Sequence, residues 1–183
     1  MTKTIPELDA WIAARIQGGF GQADMAIMKE EIEKLESGDL YLEIGVDEGR
    51  SLTVAHHYAK EGVWTVGVDY IDSPNRGPYM NIPLGWNPQG VSLITHGSHC
   101  MFIHGDSEMV AQLFDRPISL LFIDGDHSYE GVQKDHNAWV HKVKKGGTVL
   151  YHDYDHPDTK RFLDDTYGDN KEVCHGKIVR IKI

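Results

Sequence analysis

The sequence has little of what a disulfide scaffold or a membrane span requires. It contains two cysteines, Cys100 and Cys174, which do not form a C-x-x-C pair. A disulfide-stapled secreted fold is therefore not indicated, and a reducing compartment is the default expectation. No apolar run of roughly 18 residues occurs, and the first residues lack the charged and apolar regions of a signal peptide. We therefore expect a cytoplasmic protein without membrane contact.

Basic residues are also few. The chain has 18 Lys and Arg against 28 Asp and Glu, which gives a formal net charge of -10. A surface of this sign repels phosphates, so nucleic acid is not an expected partner. Apolar residues make up 40% and charged residues 25% of the chain, which excludes bulk disorder. The 183 residues fit one domain, which we place over residues 1–183.

Short apolar runs alternate with helical patterns along the chain. Strand-like runs lie at 40–44, 63–68, 101–104, 118–123 and 148–151, and helical patterns at 24–36, 51–60, 108–114 and 159–167. We expect Ser107 to cap the third of these helices. The helix after residue 123 is expected to end at Gly146-Gly147. The alternation predicts an α/β fold with a mostly parallel central sheet and helices on both faces, and the run 177–183 predicts an antiparallel C-terminal edge.

Two segments fall outside this alternation. N-terminal helices are expected over about 5–37, before the first strand. Residues 70–100 carry four prolines and four glycines, and so long a loop is most often a functional lid or a mobile segment. A tolerated surface insertion is the alternative for this lid-like segment.

Carboxylates stand at the predicted ends of five strands. They belong to Glu43, Asp69, Asp106, Asp124 and Asp153. Ligands of open α/β sheets bind beyond the carboxyl ends of the strands, and so many carboxylates on one edge by chance is improbable because each is costly to desolvate. These residues therefore mark a binding site.

The turn after the first strand is rich in glycine and acid. Gly45 and Gly49 allow a tight turn and close approach of a ligand, but the spacing is neither the G-x-G-x-x-G of nicotinamide oxidoreductases nor a P-loop. A nicotinamide enzyme is therefore a distant alternative. The acidic turn suits a cationic or zwitterionic ligand, and Asp69, twenty residues after Gly49, can bind both hydroxyls of a ribose.

An ordered set of motifs resembles the class I S-adenosylmethionine-dependent methyltransferases. It comprises Glu43-x-Gly45-x-x-x-Gly49-x-Ser51, Asp69, Gly105-Asp106-Ser107, the stretch 122–129 around Asp124-Gly125-Asp126-His127, and the stretch 146–153 that ends in His152-Asp153. The most similar group is that of the small-molecule O-methyltransferases of the macrolide sugar and catechol type, which is related to the cephalosporin hydroxylases. The resemblance implies a Rossmann-like methyltransferase fold. It also implies transfer of a methyl group from S-adenosylmethionine to an oxygen of a small hydroxylated metabolite.

The resemblance also assigns roles to residues. His127 matches the general base, and a neutral imidazole at this position could accept the hydroxyl proton of the acceptor. Asp124 and Asp153 match ligands of a divalent metal, for which Mg²⁺ or Mn²⁺ is expected. His152 departs from the acidic residue usual there, so it is either an imidazole ligand or no ligand. The cofactor-binding residues implied are Glu43, Gly45, Gly49, Ser51, Asp69, Asp106, Ser107 and Asp124.

Several alternatives stay open at this point. The chain carries 11 histidines, and His127 could be a metal ligand or a surface residue instead of a base. A metal-independent N- or C-methyltransferase of the same fold, or an inactive S-adenosylmethionine-binding module, would share the cofactor motifs. The sequence names neither the small-molecule acceptor nor the oligomeric state, and it is compatible with a homo-oligomer.

Overall fold

The computed structural model describes residue 16 and residues 18–70, 99–175 and 177–183. Of the predicted N-terminal helices, the described part contains α1 (Gln22–Ile32), and the remainder of that prediction lies outside it. The lid-like segment of residues 70–100 falls almost entirely outside the described residues as well.

The described residues contain seven strands: β1 (Leu40–Ile44), β2 (Trp64–Asp69), β3 (Cys100–His104), β4 (Ile118–Ile123), β5 (Val143–Tyr151), β6 (Glu172–Val173) and β7 (Val179–Lys182). They form one sheet in the order β3-β2-β1-β4-β5-β7-β6. Strands β1 to β5 pair in parallel, whereas β7 runs antiparallel to β5 and β6. The predicted α/β fold with a mostly parallel sheet and an antiparallel C-terminal part is confirmed, although β6 and not β7 is the outermost strand.

Within the described ranges, four further α-helices and one 3₁₀ turn connect the strands. Every residue of β1 and β4 is buried, as expected for central parallel strands that are covered on both faces. None of the helices in the described ranges is long and apolar enough to cross a membrane. The connecting elements are α2 (Arg50–Tyr58), α3 (Ser107–Leu113), α4 (Tyr129–Trp139), the 3₁₀ turn Val140–Lys142 and α5 (Pro157–Tyr167).

Two predicted helix boundaries were wrong. The cap of α3 is Asp106 and not Ser107, because the Asp106 carboxylate accepts the Met109 N–H at 3.0 Å. Helix α4 ends at Trp139, before the glycine pair Gly146-Gly147, which lies inside β5. There the pairing with β4 is irregular, since its register shifts between Ile118 and Leu120. The glycines thus serve the sheet and not the helix end.

Candidate active site at the carboxyl edge of the sheet

A cavity of about 720 Å³ opens at the carboxyl edge of the sheet. The loops that follow β1 to β5 form its walls, beside the point where the strand order reverses between β1 and β4. Glu43, Gly49 and Ser51 are not among its lining residues. The predicted site residues that do line it are Gly45, Asp69, Asp106, Ser107, Asp124, His127, His152 and Asp153.

The turn after β1 is fixed from two neighbouring strands. Gly45 has a φ of +83°, and a Cβ there would lie 2.1 Å from the carbonyl oxygen of Asp124, so only glycine fits. On the other side, Asp69 Oδ2 accepts the backbone N–H groups of Val46 at 2.9 Å and Asp47 at 2.8 Å. The Asp69 carboxylate therefore shapes the turn as well as lining the cavity, and its contact with a ribose stays a prediction.

Glu43 does not line the cavity and is fully buried. Its carboxylate accepts hydrogen bonds from Ser51 Oγ at 2.6 Å and Tyr41 Oη at 2.5 Å. Burial raises the pKa of Glu43 to about 8, against the two hydrogen bonds, which lower it. Glu43 and Ser51 thus bind each other under the turn that Gly49 closes, and their roles toward the cofactor stay predictions.

Ser107 is held by two side chains of α4. Its hydroxyl donates to Asp135 Oδ1 at 2.5 Å and accepts the Trp139 indole N–H at 2.8 Å. Burial raises the pKa of Asp135 to about 6, because it disfavours the charged carboxylate. Asp135 lines the cavity, although the sequence analysis missed it. The sequence did contain a signal for Asp135, since an acidic residue stands there on the apolar side of the helix, next to Val132 and His136.

Four ionisable side chains meet where β4 and β5 end. Ligand atoms of Asp124, His152 and Asp153 lie within 4.8 Å of one another, as a metal ion requires. His152 Nδ1 is 3.0 Å from Asp124 Oδ1 and 3.4 Å from Asp153 Oδ1. His127 Nε2 lies 2.7 Å from Asp153 Oδ2 and 3.7 Å from Asp124 Oδ1. The structure thus brings the predicted base and the three predicted ligands together.

The charges of this cluster oppose one another. The carboxylates of Asp124 and Asp153 raise the pKa of His127 to about 9, which favours the protonated ring at pH 7; its role as a base stays a prediction. The pKa of Asp153 is held well below its usual range by His127 and His152. Lys177, which the sequence analysis did not single out, places its ammonium 3.1 Å from Asp153 Oδ1.

A second missed residue stands behind His152. Asp24, in the first turn of α1, is 4% exposed, and its Oδ2 lies 3.5 Å from His152 Nε2. Burial opposes protonation of His152, yet Asp124, Asp153 and Asp24 together raise its pKa to about 12. An acid in a first helical turn looks like a capping group in the sequence, which is why the pattern did not reveal it.

A family model described as a methyltransferase domain matches residues 42–154. The chain belongs to this family of methyltransferase domains. Among curated proteins, an uncharacterised protein of Acanthamoeba polyphaga mimivirus is 30% identical over 134 residues, covering 70% of this chain and 58% of the relative. The chain therefore spans less than two thirds of the length of that relative.

Solved methyltransferases share the fold of this domain. CalS11, a TDP-rhamnose 3'-O-methyltransferase of calicheamicin biosynthesis, has a TM-score of 0.64 at 15% identity over 89% of this chain and 81% of its own. MycE, solved with Mg, SAH and mycinamycin VI, gives 0.65 at 16% over 96% of this chain and 53% of its own. An O-methyltransferase of Bacillus cereus in complex with SAH gives 0.63 at 12%, over 97% and 88%. The TM-scores establish a shared Rossmann-like fold, and at identities this low they establish the fold alone.

The methyltransferase match covers all the predicted site residues but not the whole site. Asp24 precedes the matched segment and Lys177 follows it, and both contact the cluster at the ends of β4 and β5. The flanks of the methyltransferase domain therefore contribute charged groups to the site.

Proposed function

We propose that this methyltransferase domain transfers a methyl group from S-adenosylmethionine to an oxygen of a small hydroxylated molecule, with a divalent cation at the end of β4 and β5. The observation that carries the proposal is one cavity with two chemically distinct ends. One end is lined by the glycine turn, Asp69 and Asp106. The other end is lined by Asp124, His127, His152 and Asp153, which we call the Asp124 cluster. A cofactor and an acceptor oxygen could lie side by side in this cavity.

The cofactor half is suited to an adenosyl amino acid. The Gly45 turn lets backbone approach a ligand, and Asp69 stands at the end of β2, where a carboxylate accepts from ribose hydroxyls. Asp106 and Ser107 line the part of the wall formed by the loop after β3. Because the Ser107 hydroxyl already donates to Asp135, we assign Ser107 an acceptor or backbone contact with the adenine.

The residues of the Asp124 cluster fit a divalent cation. Two carboxylates and one imidazole make up the donor set, which suits Mn²⁺ and also Mg²⁺, and the imidazole shifts preference toward transition metals. The Nε2 atom of His127 faces Asp153, and that of the buried His152 faces Asp24, so both rings are held by carboxylates. When bound, the cation would lower the pKa of an acceptor hydroxyl. Asp124, His152 and Asp153 would hold it.

His127 is the proposed general base. Its side chain is 43% exposed at the cavity, so it can reach an acceptor, and Asp153 orients the ring through the ion pair at Nε2. The carboxylates favour its protonated form. We therefore infer that His127 accepts a proton only when positive charge in the cluster offsets Asp124 and Asp153.

One observation favours a second candidate, a metal-independent methyltransferase. The Lys177 ammonium contacts Asp153 and Asp155, so the chain itself supplies positive charge to the cluster. Activity that survives removal of metal would support this second candidate.

The cytoplasmic location stays a prediction.

Binding and turnover test the proposal. Calorimetry should show that S-adenosylmethionine binds and NAD does not, and Asp69→Asn should weaken binding roughly 10- to 100-fold through lost charge-assisted hydrogen bonds of ~1.5–3 kcal/mol. Asp39→Asn, just before β1 at the opposite edge of the sheet, is the matched control. Turnover should then be followed as release of S-adenosylhomocysteine (SAH), the product left after methyl transfer. The acceptors are a panel of hydroxylated molecules that includes a nucleotide-linked deoxysugar, and each is assayed with Mn²⁺ and with EDTA. Binding without SAH release would indicate an inactive binding module.

A further inference from the structure

Asp24 is a buried carboxylate with three partners. It is 4% exposed, its Oδ2 accepts the Gly21 N–H at 2.8 Å, and its Oδ1 accepts the Lys177 N–H at 3.2 Å. Its third partner is His152, whose Nε2 lies 3.5 Å from Oδ2. Capping α1 would need only the first of these contacts. The other two join the helix to the active-site cluster and to the C-terminal segment.

The His152 ring packs against two aromatic rings, which also contact each other. Its centroid lies 5.7 Å from that of Phe20 and 5.9 Å from that of Phe122, and the side chain is 2% exposed. Its two nitrogens therefore face different groups. Nδ1 faces Asp124 and Asp153, and Nε2 faces Asp24. Turning the ring would disrupt its packing against both phenylalanines.

This arrangement has a known use in metal sites. A histidine that ligates a metal through one nitrogen almost always presents the other to a carboxylate, backbone carbonyl or water, which orients the ring and makes the donor atom more basic. We propose that Asp24 is a positioning residue of the divalent cation site, acting through His152, with His152 Nδ1 as the donor atom. This inference rests on the proposed metal-assisted function. It adds helix α1, outside the segment matched by the family model, to the site.

The test measures metal affinity and not turnover. Mn²⁺ binding to the full chain is titrated by electron paramagnetic resonance for the wild type, Asp24→Asn and the control Glu33→Gln. Glu33 is an exposed carboxylate at the other end of α1, paired with Lys29 at 3.7 Å. Loss of an outer carboxylate typically weakens metal binding 10- to 100-fold. We expect that loss for Asp24→Asn, and an unchanged affinity for Glu33→Gln.

A double-mutant cycle separates positioning from general support of the fold. If Asp24 acts through His152, then Asp24→Asn should weaken Mn²⁺ binding in the wild type but hardly further in His152→Gln. Effects that multiply in the double variant would overturn the inference, as would an unchanged affinity in Asp24→Asn. The asparagine oxygen can still accept from Gly21, so the helix cap retains an acceptor. Circular dichroism checks that the variants fold. If Asp24→Asn does not fold, Asp24→Glu replaces it; this variant keeps a carboxylate in a displaced position, and we expect an intermediate loss of Mn²⁺ affinity.

A spectroscopic readout tests the donor atom directly. Electron spin echo modulation of bound Mn²⁺ should show coupling to one imidazole ¹⁴N in the wild type and none in His152→Gln. Coupling that persists in His152→Gln would assign the nitrogen to another residue and overturn the inference. Failure of the wild type to bind Mn²⁺ while S-adenosylmethionine still binds would contradict the metal part of the proposed function itself. Equal Mn²⁺ affinity in wild type and Asp24→Asn would contradict only the role of Asp24.

Discussion

Glu43 shows how a single buried acid can make stability depend on pH. Its pKa is about 8 in the folded chain and 4.5 in its ordinary state, so the folded chain binds more protons between these values. The free energy of unfolding should therefore fall as the pH rises through this window, by at most about 1.4 kcal/mol per pH unit from this one group.

The variant Glu43→Gln, which resembles the protonated acid, should remove that contribution. Urea unfolding of wild type and variant at intervals from pH 5 to pH 8 measures it. Because both proteins share the other titrating groups, the difference between their slopes isolates Glu43. If the unfolding free energies of wild type and variant change equally with pH, the raised pKa of Glu43 is contradicted.

His127 is the residue whose change should act on turnover alone. Replacing a positioned acid–base group typically lowers kcat by roughly 10²–10⁴-fold, and we expect this for His127→Gln with S-adenosylmethionine binding unchanged. Because a base must be deprotonated, wild-type activity should rise with pH toward the pKa of His127. Recovery of the variant at saturating Mn²⁺ would instead identify His127 as a metal ligand. If His127→Gln keeps the turnover of the wild type at every metal concentration, both roles are excluded.

At the scale of elements, the turn after β1 depends on the strand beside it. Gly45 and Gly146 share a φ of +83°, but a Cβ on Gly45 would meet Asp124 at 2.1 Å whereas one on Gly146 would have nothing within 4 Å. Gly146→Ala should cost roughly 1–2 kcal/mol of backbone strain. Gly45→Ala should cost about 1–3 kcal/mol more because of overpacking. Denaturant unfolding measures both, and equal losses would contradict the close approach of the turn to β4.

The same distinction between local and distant contacts explains what the sequence could predict. Strand β4 and the carboxylates at strand ends were predictable, because continuous apolar runs and their termini are local patterns. The position of Gly146-Gly147 was not, since pairing with β4 determines it. Asp135 and Asp24 were missed for a related reason. Each is an acid on a helix whose partner, Ser107 or His152, is many residues away in the chain.

At the scale of the whole molecule, a ligand that binds only the folded chain should stabilise it. SAH at about 100 times its dissociation constant adds ~2.7 kcal/mol, which for a chain of this size raises Tm by roughly 5–10 °C. Differential scanning fluorimetry of the wild type and Asp69→Asn should show the shift in the first and a smaller one in the second. A shift with NAD as large as that with SAH would contradict the proposed cofactor.

The hydrogen bond from the Lys177 backbone N–H to the Asp24 carboxylate joins the two flanks of the matched segment behind the active site. One flank presents a carboxylate to His152 and the other an ammonium to Asp153, and this hydrogen bond links the two placements. A chimera that grafts residues 42–154 between the flanks of another methyltransferase would lose both Asp24 and Lys177. Exchanging one flank alone would leave the other charge without its neighbour. These distant segments should therefore be inherited, and transplanted, as a pair.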